Sequence, residues 1–101
     1  MCRILHIERN VMVVPIKKLI TTKYKGDTDQ TVTISTDKFK YVFFHVKPNI
    51  AAQAKILFRK GVYTKCWAVL RDCEYGKENL KTGERFLMKE KIKGAEYGFE
   101  N

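Results

Sequence analysis

The sequence lacks acidic residues over a third of its length, from Lys38 to Arg71. This stretch holds eight of the 20 lysines and arginines, whereas the other 12 are nearly balanced by all 11 aspartates and glutamates. Almost the whole formal net charge of +9 therefore lies in one segment. Such an excess of positive charge favours acidic partners, which include nucleic acid, an anionic membrane and an acidic protein surface.

The sequence is also poor in cysteine. Cys2, Cys66 and Cys73 are an odd number and show no framework spacing, which excludes the class of small secreted proteins held together by disulfides. Structural zinc sites use two ligand pairs, each about two to four residues apart. The cysteines and histidines do not supply two such pairs, and no glycine-rich phosphate loop occurs. We therefore expect reduced thiols, no metal and no cofactor, in a cytoplasmic or nuclear protein.

Long hydrophobic runs are absent as well. The longest contain four or five residues, far short of the roughly 20 that a transmembrane helix needs. Pro15 and the two lysines after it break the apolar run that begins at Val11, so no secretory signal is expected. The chain is expected to form a single domain over residues 1–101, with no membrane association. Residues 1–11 and 94–101 are expected to be less firmly attached, and Met12 is an alternative start.

Residue periodicity predicts most of the secondary structure. Strands are expected at 31–35, 39–47, 62–71 and 85–93, after short strand-like segments at 4–7 and 11–15. Residues 16–24 fit either a strand or a helical turn, and the polar segment 74–81 is expected to be a loop. One helix is predicted between Asn49 as its N-cap and Gly61 just past its end.

This arrangement predicts an α+β fold. It would contain a small antiparallel sheet with one principal helix packed on a face, in the core order β-β-α-β-β, preceded by a short strand-like N-terminal segment. Pairing of two copies through an edge strand would give a homodimer. The helix would bury one apolar side, formed by Ile50, Ala51, Ala54, Leu57 and Phe58.

The strand at 39–47 is the richest in aromatic residues. Its odd positions are Phe39, Tyr41, Phe43, His45 and Lys47. Open to solvent, this side would form a platform on which bases stack. The alternative is a strand covered on both faces, since a doubly buried strand reads as a nearly continuous apolar run. The even positions, which include Lys40, Val42 and Phe44, are expected to form an ordinary core face.

The segment 62–71 repeats this combination of aromatic and basic residues. Read as a strand, it places Tyr63, Lys65, Trp67 and Arg71 on one side. Unpaired buried cations are costly, so the two basic residues favour partial exposure of this side. A single tryptophan more often belongs to the core, and that alternative stays open.

Two further groups of cations have simple structural explanations. Lys55, Arg59 and Lys60 lie at the end of the predicted helix, where positive charge suits the helix dipole. Lysines on alternate positions of the last strand, at 89, 91 and 93 after Arg85, can protect a sheet edge or follow phosphates.

Catalysis has one weak candidate. His45 could serve acid–base chemistry in a small ribonuclease, but no carboxylate is placed beside it by sequence and no nucleophile motif occurs. A lone histidine in a strand is usually structural.

The sequence thus predicts a small, basic, non-catalytic protein that binds single-stranded nucleic acid or RNA through a basic and aromatic sheet face. The second hypothesis is an inhibitor or adaptor, of the kind common in viruses and mobile elements, that binds an acidic protein surface. The third is the ribonuclease. The expected contact residues are Tyr63, Lys65, Trp67, Arg71, Tyr41, Phe43, Lys40, Lys47, Lys55, Arg59 and Lys60.

Overall fold

The computed structural model describes residues 14–23, 26 and 28–88, the last three by backbone alone. The elements of this part, in chain order, are β1 (Lys18–Lys23), β2 (Gln30–Ser35), β3 (Phe39–Val46), α1 (Pro48–Arg59), α2 (Tyr63–Leu70), β4 (Tyr75–Asn79) and β5 (Arg85–Met88). Val14 and Pro15 do not belong to a strand. The predictions made for Met12, for 1–11, for 89–93 and for 94–101 lie outside the described residues.

The strands form one antiparallel sheet in the order β1-β2-β3-β4-β5, so each lies beside its neighbour in sequence. Both helices are inserted between β3 and β4. The α+β class is confirmed, and the expected order of elements is roughly kept. The ambiguous segment 16–24 supplies β1, and different residues supply the penultimate strand. Within the described sheet β1 and β5 are the edges, and pairing of two copies there stays a prediction.

The β2–β3 hairpin forms as the alternating pattern predicts. Ile34 lies opposite Tyr41, and Ser35 lies opposite Lys40. The buried Thr36 closes the connection, because its hydroxyl oxygen accepts the Phe39 backbone N–H at 3.1 Å and its own N–H donates to the Phe39 carbonyl at 2.9 Å. A threonine that satisfies its own turn is a common way to join two strands tightly.

Helix α1 is confirmed with small differences at its start. It buries Ala51 and Ala54 and leaves Lys55 and Arg59 exposed. The N-cap is Lys47 rather than Asn49, because Pro48 already occupies the first helical position, which its fixed φ suits. Neither helix of the described residues is long and apolar enough to cross a membrane.

The strand expected at Val62–Arg71 is wrong, because most of this segment forms helix α2. Tyr63, Cys66, Trp67 and Leu70 follow the spacing i, i+3, i+4, i+7, which places them on one side of a helix. Cys66, Trp67 and Leu70 are all buried. A strand would send the adjacent Cys66 and Trp67 to opposite faces. Packing of this stripe outweighs the strand preference of the aromatic and β-branched residues.

The loop expected at Glu74–Lys81 is also wrong, because it contains β4. This strand is rich in polar residues and contains Gly76, so local preference does not favour it. It is held instead by its neighbours, since Lys77 lies opposite Tyr41 of β3 and opposite Phe86 of β5.

The core lies between the helices and one side of the sheet. Tyr41, Phe43 and Trp67 are each fully buried. The ring of Trp67 meets Tyr41 edge-on, with 5.1 Å between ring centroids, and lies 6.5 Å from Phe43. Its indole N–H also donates to the Val14 carbonyl oxygen at 3.0 Å. One side chain therefore connects the helices, the sheet and the segment that precedes β1.

We predict that Trp67→Phe lowers the free energy of unfolding by about 2 kcal/mol. The change removes buried ring surface and leaves the Val14 carbonyl without its donor. Urea unfolding followed by far-UV circular dichroism measures it, because Trp67 is the chain's only tryptophan. Lys65→Ala on the exposed side of α2 is the control and should stay within about 0.5 kcal/mol of the wild type. Equal losses of unfolding free energy in the two variants would show that Trp67 matters no more to stability than an exposed residue of α2.

Candidate functional site

The odd side of β3 is covered, in agreement with the alternative to an open platform, whereas the even side, which was expected to be an ordinary core face, is only partly buried. Tyr41 and Phe43 face the helices and are fully buried, so they cannot form an open stacking platform. The helices instead leave the even side uncovered, and its Val42 and Phe44 are only partly buried. The alternation itself is correct, and the side that meets the core is the odd one.

The cross-strand register defines the uncovered side, which we call the outer face. Residues directly opposite each other in neighbouring strands share a face. One row runs through Ile20, Thr33, Val42 and Gly76, and the next runs through Lys18, Ser35, Lys40, Glu78 and Arg85. Phe44 lies two residues beyond Val42 on the same side. Ile20 keeps 43% of its surface exposed.

A shallow recess of about 490 Å³ lies on the outer face. It is lined by Lys40, Val42 and Phe44 of β3, Gly76, Lys77 and Glu78 of β4, and Arg85 of β5. Its size falls in the range of small-molecule sites, which is roughly 300–1,000 Å³. The floor is apolar, with an aromatic ring at one end and cations at the other.

The outer face carries more positive than negative charge. Glu78 lies 3.5 Å from the Arg85 guanidinium, and the Arg85 side chain is 80% exposed. An exposed pair of this kind contributes little stability and is easily exchanged for another partner. Lys18 and Lys40 form no ion pair within the described residues. Three cations therefore face one carboxylate.

The ammonium of Lys77 is turned away from the outer face, although the residue is part of the recess lining. Its ammonium lies 4.0 Å from the ring centroid of Phe39 and 5.6 Å from that of Tyr41, over the inner side of the sheet. A cation over aromatic rings is attracted by their quadrupoles. The Lys77 charge is thereby held against the edge of the core.

The predicted contact residues do not form one surface. Of the eleven, Lys40 alone lies on the outer face, while Trp67, Tyr41 and Phe43 are in the core. Lys47 pairs with Asp29 at 3.2 Å, at the end of β3. The remaining six belong to the helical layer or the turns after each helix, on the opposite side of the sheet, and they are Tyr63, Lys65, Arg71, Lys55, Arg59 and Lys60.

Sequence reasoning assigned no binding role to Phe44, Val42, Ile20 or Gly76, and it weighed Arg85 only as one of the last strand's cations that protect an edge or follow phosphates. The period-two pattern of β3 contained Val42 and Phe44, but periodicity does not say which side of a strand is buried. The signal that could have found them is the helical spacing of Tyr63, Cys66, Trp67 and Leu70. A helix with one apolar side packs on one side of the sheet and leaves the other side open. Here the helices cover the side of β3 that carries Tyr41 and Phe43.

His45 does not form an acid–base pair with any described residue. It is exposed at the end of β3, and its φ of 55° places it in the left-handed region, where histidine is among the more tolerated residues. It has no hydrogen bond or ion pair within the described part of the chain. The arrangement offers no positioned partner for ribonuclease chemistry.

The thiol of Cys66 is suited to packing and not to chemistry. It donates to the Ala54 carbonyl oxygen at 3.4 Å and so joins α2 to α1. Burial raises the pKa of Cys66 to about 12, so the nucleophilic thiolate is scarce at neutral pH. Among the described residues, no group of three histidine, cysteine or acidic side chains is placed to hold a metal ion.

The chain matches no protein-family model, no curated protein and no solved structure. An apolar floor beside cations can hold a ligand that has a flat ring and a negative charge.

We predict that Cys66 makes the fold less stable in alkali. The folded pKa of about 12 lies above the unfolded value of 9.0, so the unfolded chain loses its proton first. This stabilising contribution is complete below pH 9 and is lost as the pH rises towards about 12. Urea unfolding of wild type and Cys66→Ala between these limits measures it.

Every other titratable group is present in both proteins, so the comparison isolates the contribution of Cys66. The stability advantage of the wild type over Cys66→Ala should shrink with rising pH. Parallel pH profiles for the two proteins would contradict the assigned pKa.

Proposed function

We propose that this protein binds single-stranded nucleic acid or RNA through the outer face, without cleaving it. The observation that carries the proposal is a partly apolar sheet face that neither helix of the described residues covers. The Phe44 ring lies at one end of its recess, and Lys18 and Lys40 on this face form no ion pair within the described residues. Nucleic acid combines flat apolar bases with a regular row of negative charges, and this face offers a counterpart to both.

The apolar row supports contact with bases. Phe44 and Val42 are partly buried, so their surfaces are accessible from the outer face, and Ile20 extends the row towards the β1 edge. A base stacked on an aromatic side chain contributes roughly 1–3 kcal/mol and needs no particular sequence. This favours general binding of unpaired strands.

The cations support contact with phosphates. Lys18, Lys40 and Arg85 lie on β1, β3 and β5, and adjacent members of this set are two strands apart. Neighbouring strands are about 4.8 Å apart, so these charges recur about every 10 Å across the sheet. A backbone that crosses the strands would meet each of them in turn.

A flat sheet face suits an unpaired strand better than duplex DNA. Reading the major groove requires a helix or a narrow two-stranded ribbon that can enter it. On this side of the sheet the described residues form only the pleated surface. The basic residues of α1 face the other way and would add attraction at a distance, but no direct contact.

We predict that affinity falls with salt with a slope of log K against log salt of about −2. Three phosphate contacts on a single strand give this value, at about −0.7 for each. Fluorescence anisotropy of a labelled oligonucleotide, titrated at several salt concentrations, measures the slope. A flat dependence would remove the proposal.

A matched pair of double variants separates the outer face from general positive charge. Lys40→Gln with Arg85→Gln should reduce the slope to about −0.7. Lys55→Gln with Arg59→Gln removes the same charge from α1 and should leave the slope near −2. Equal effects would indicate diffuse attraction without a defined face.

The same titrations test catalysis if the RNA is recovered and its length checked. Intact RNA agrees with a binding protein. Cleavage that disappears in His45→Ala would favour the ribonuclease instead.

Ile56 favours a second candidate function, docking on an acidic protein surface. It is 50% exposed on α1, next to Lys55 and near Arg59, and an apolar residue among cations is typical of a protein interface. Affinity capture before and after nuclease treatment separates the two functions. Acidic proteins that stay bound after digestion and are lost with Ile56→Asp would support this candidate.

A further inference from the structure

Gly76 occupies the centre of the outer face. It lies opposite Val42 on one side and opposite Leu87 on the other, in the interior of β4. A glycine inside a strand weakens it and often marks a place where a ligand approaches the backbone closely. Here it also lines the recess.

The backbone does not require glycine at this position. The glycines with positive φ in the described part are Gly26, Gly61 and Gly83, each in a turn or next to one. Gly76 is ordinary extended strand, which any residue adopts. A β-branched residue would be favoured there by strand preference. What glycine provides is an open floor, because a side chain at 76 would project into the recess.

We propose that the recess over Gly76 holds one unpaired nucleobase of the bound strand. This inference rests on the proposed function and adds the position at which a base is seated. The base would lie flat on the Gly76 backbone and Val42, with its edge towards the Phe44 ring. Its phosphate would point to the other end of the recess, where Lys40 and Arg85 lie.

Charge and shape favour a nucleotide over an acidic peptide. Lys40 has no carboxylate partner among the described residues, and Arg85 has only the loose pair with Glu78. A peptide that joined this sheet would pair with an edge strand, whereas Gly76 lies on an inner strand of the described sheet. A flat ring can approach the backbone closely where no side chain projects, and Gly76 is such a position in the lining of the recess.

The test is Gly76→Val, which fills the recess while improving strand preference. The melting temperature should be unchanged or higher, and Kd for a labelled single-stranded oligonucleotide should rise about tenfold or more. The salt slope should stay near −2, since the phosphate contacts remain. Thr21→Val is the matched control, because Thr21 lies opposite the buried Val32 and so on the helix-facing side of the sheet, away from the recess. It should bind within about twofold of the wild type.

Binding of an abasic oligonucleotide is the second measurement. A folding defect would weaken binding of the intact and the abasic strand equally, so it would leave the ratio of the two affinities unchanged. The wild type should bind the abasic strand more weakly than the intact strand, and Gly76→Val should show a smaller difference between the two strands, because one base site is already closed. A Gly76→Val protein that binds the intact strand as tightly as wild type would overturn the base site alone. Failure of the wild type to bind any single strand would overturn the proposed function and this inference together.

Discussion

Trp67 packed against Tyr41 and Phe43 is the contact on which the rest of the structure depends. Its ring packs against the two fully buried aromatic side chains of β3, and its N–H donates to the Val14 carbonyl oxygen just before β1. A buried indole N–H without an acceptor would be costly. The position therefore requires the hydrogen-bond donor of tryptophan as well as the volume of its ring. Once the tryptophan is seated there, the helical layer can cover only that side of the sheet.

The distribution of charge follows from this choice. The basic stretch from Lys38 to Arg71 reads as one patch along the chain, but the fold divides it between opposite sides of the sheet. Lys40 stays with the strands, while Lys55, Arg59 and Lys65 go with the helices. Net charge then attracts polyanions from any direction, and the apolar row beside Lys40 makes the outer face the better candidate for a defined contact.

The outer face also contains a residue that local strand preference does not favour. Gly76 weakens a strand that is already rich in polar residues, and only the pairing with β3 and β5 holds it. Positions that break a local rule without a conformational need are where function is expected. The recess above Gly76 is such a position.

Local patterns are enough to predict the α+β class, the β2–β3 hairpin and helix α1, because alternation, turn residues and helical spacing involve only nearby residues. The excess of positive charge follows from composition alone. The helix at 63–70 and the strand at 75–79 depend on tertiary packing, since burial of the Cys66–Trp67 pair and cross-strand pairing outweigh local preference. The same packing decided which side of β3 is open. A period of two marks two faces but cannot say which one meets the core, and that choice separates the buried Tyr41 and Phe43 from the accessible Val42 and Phe44.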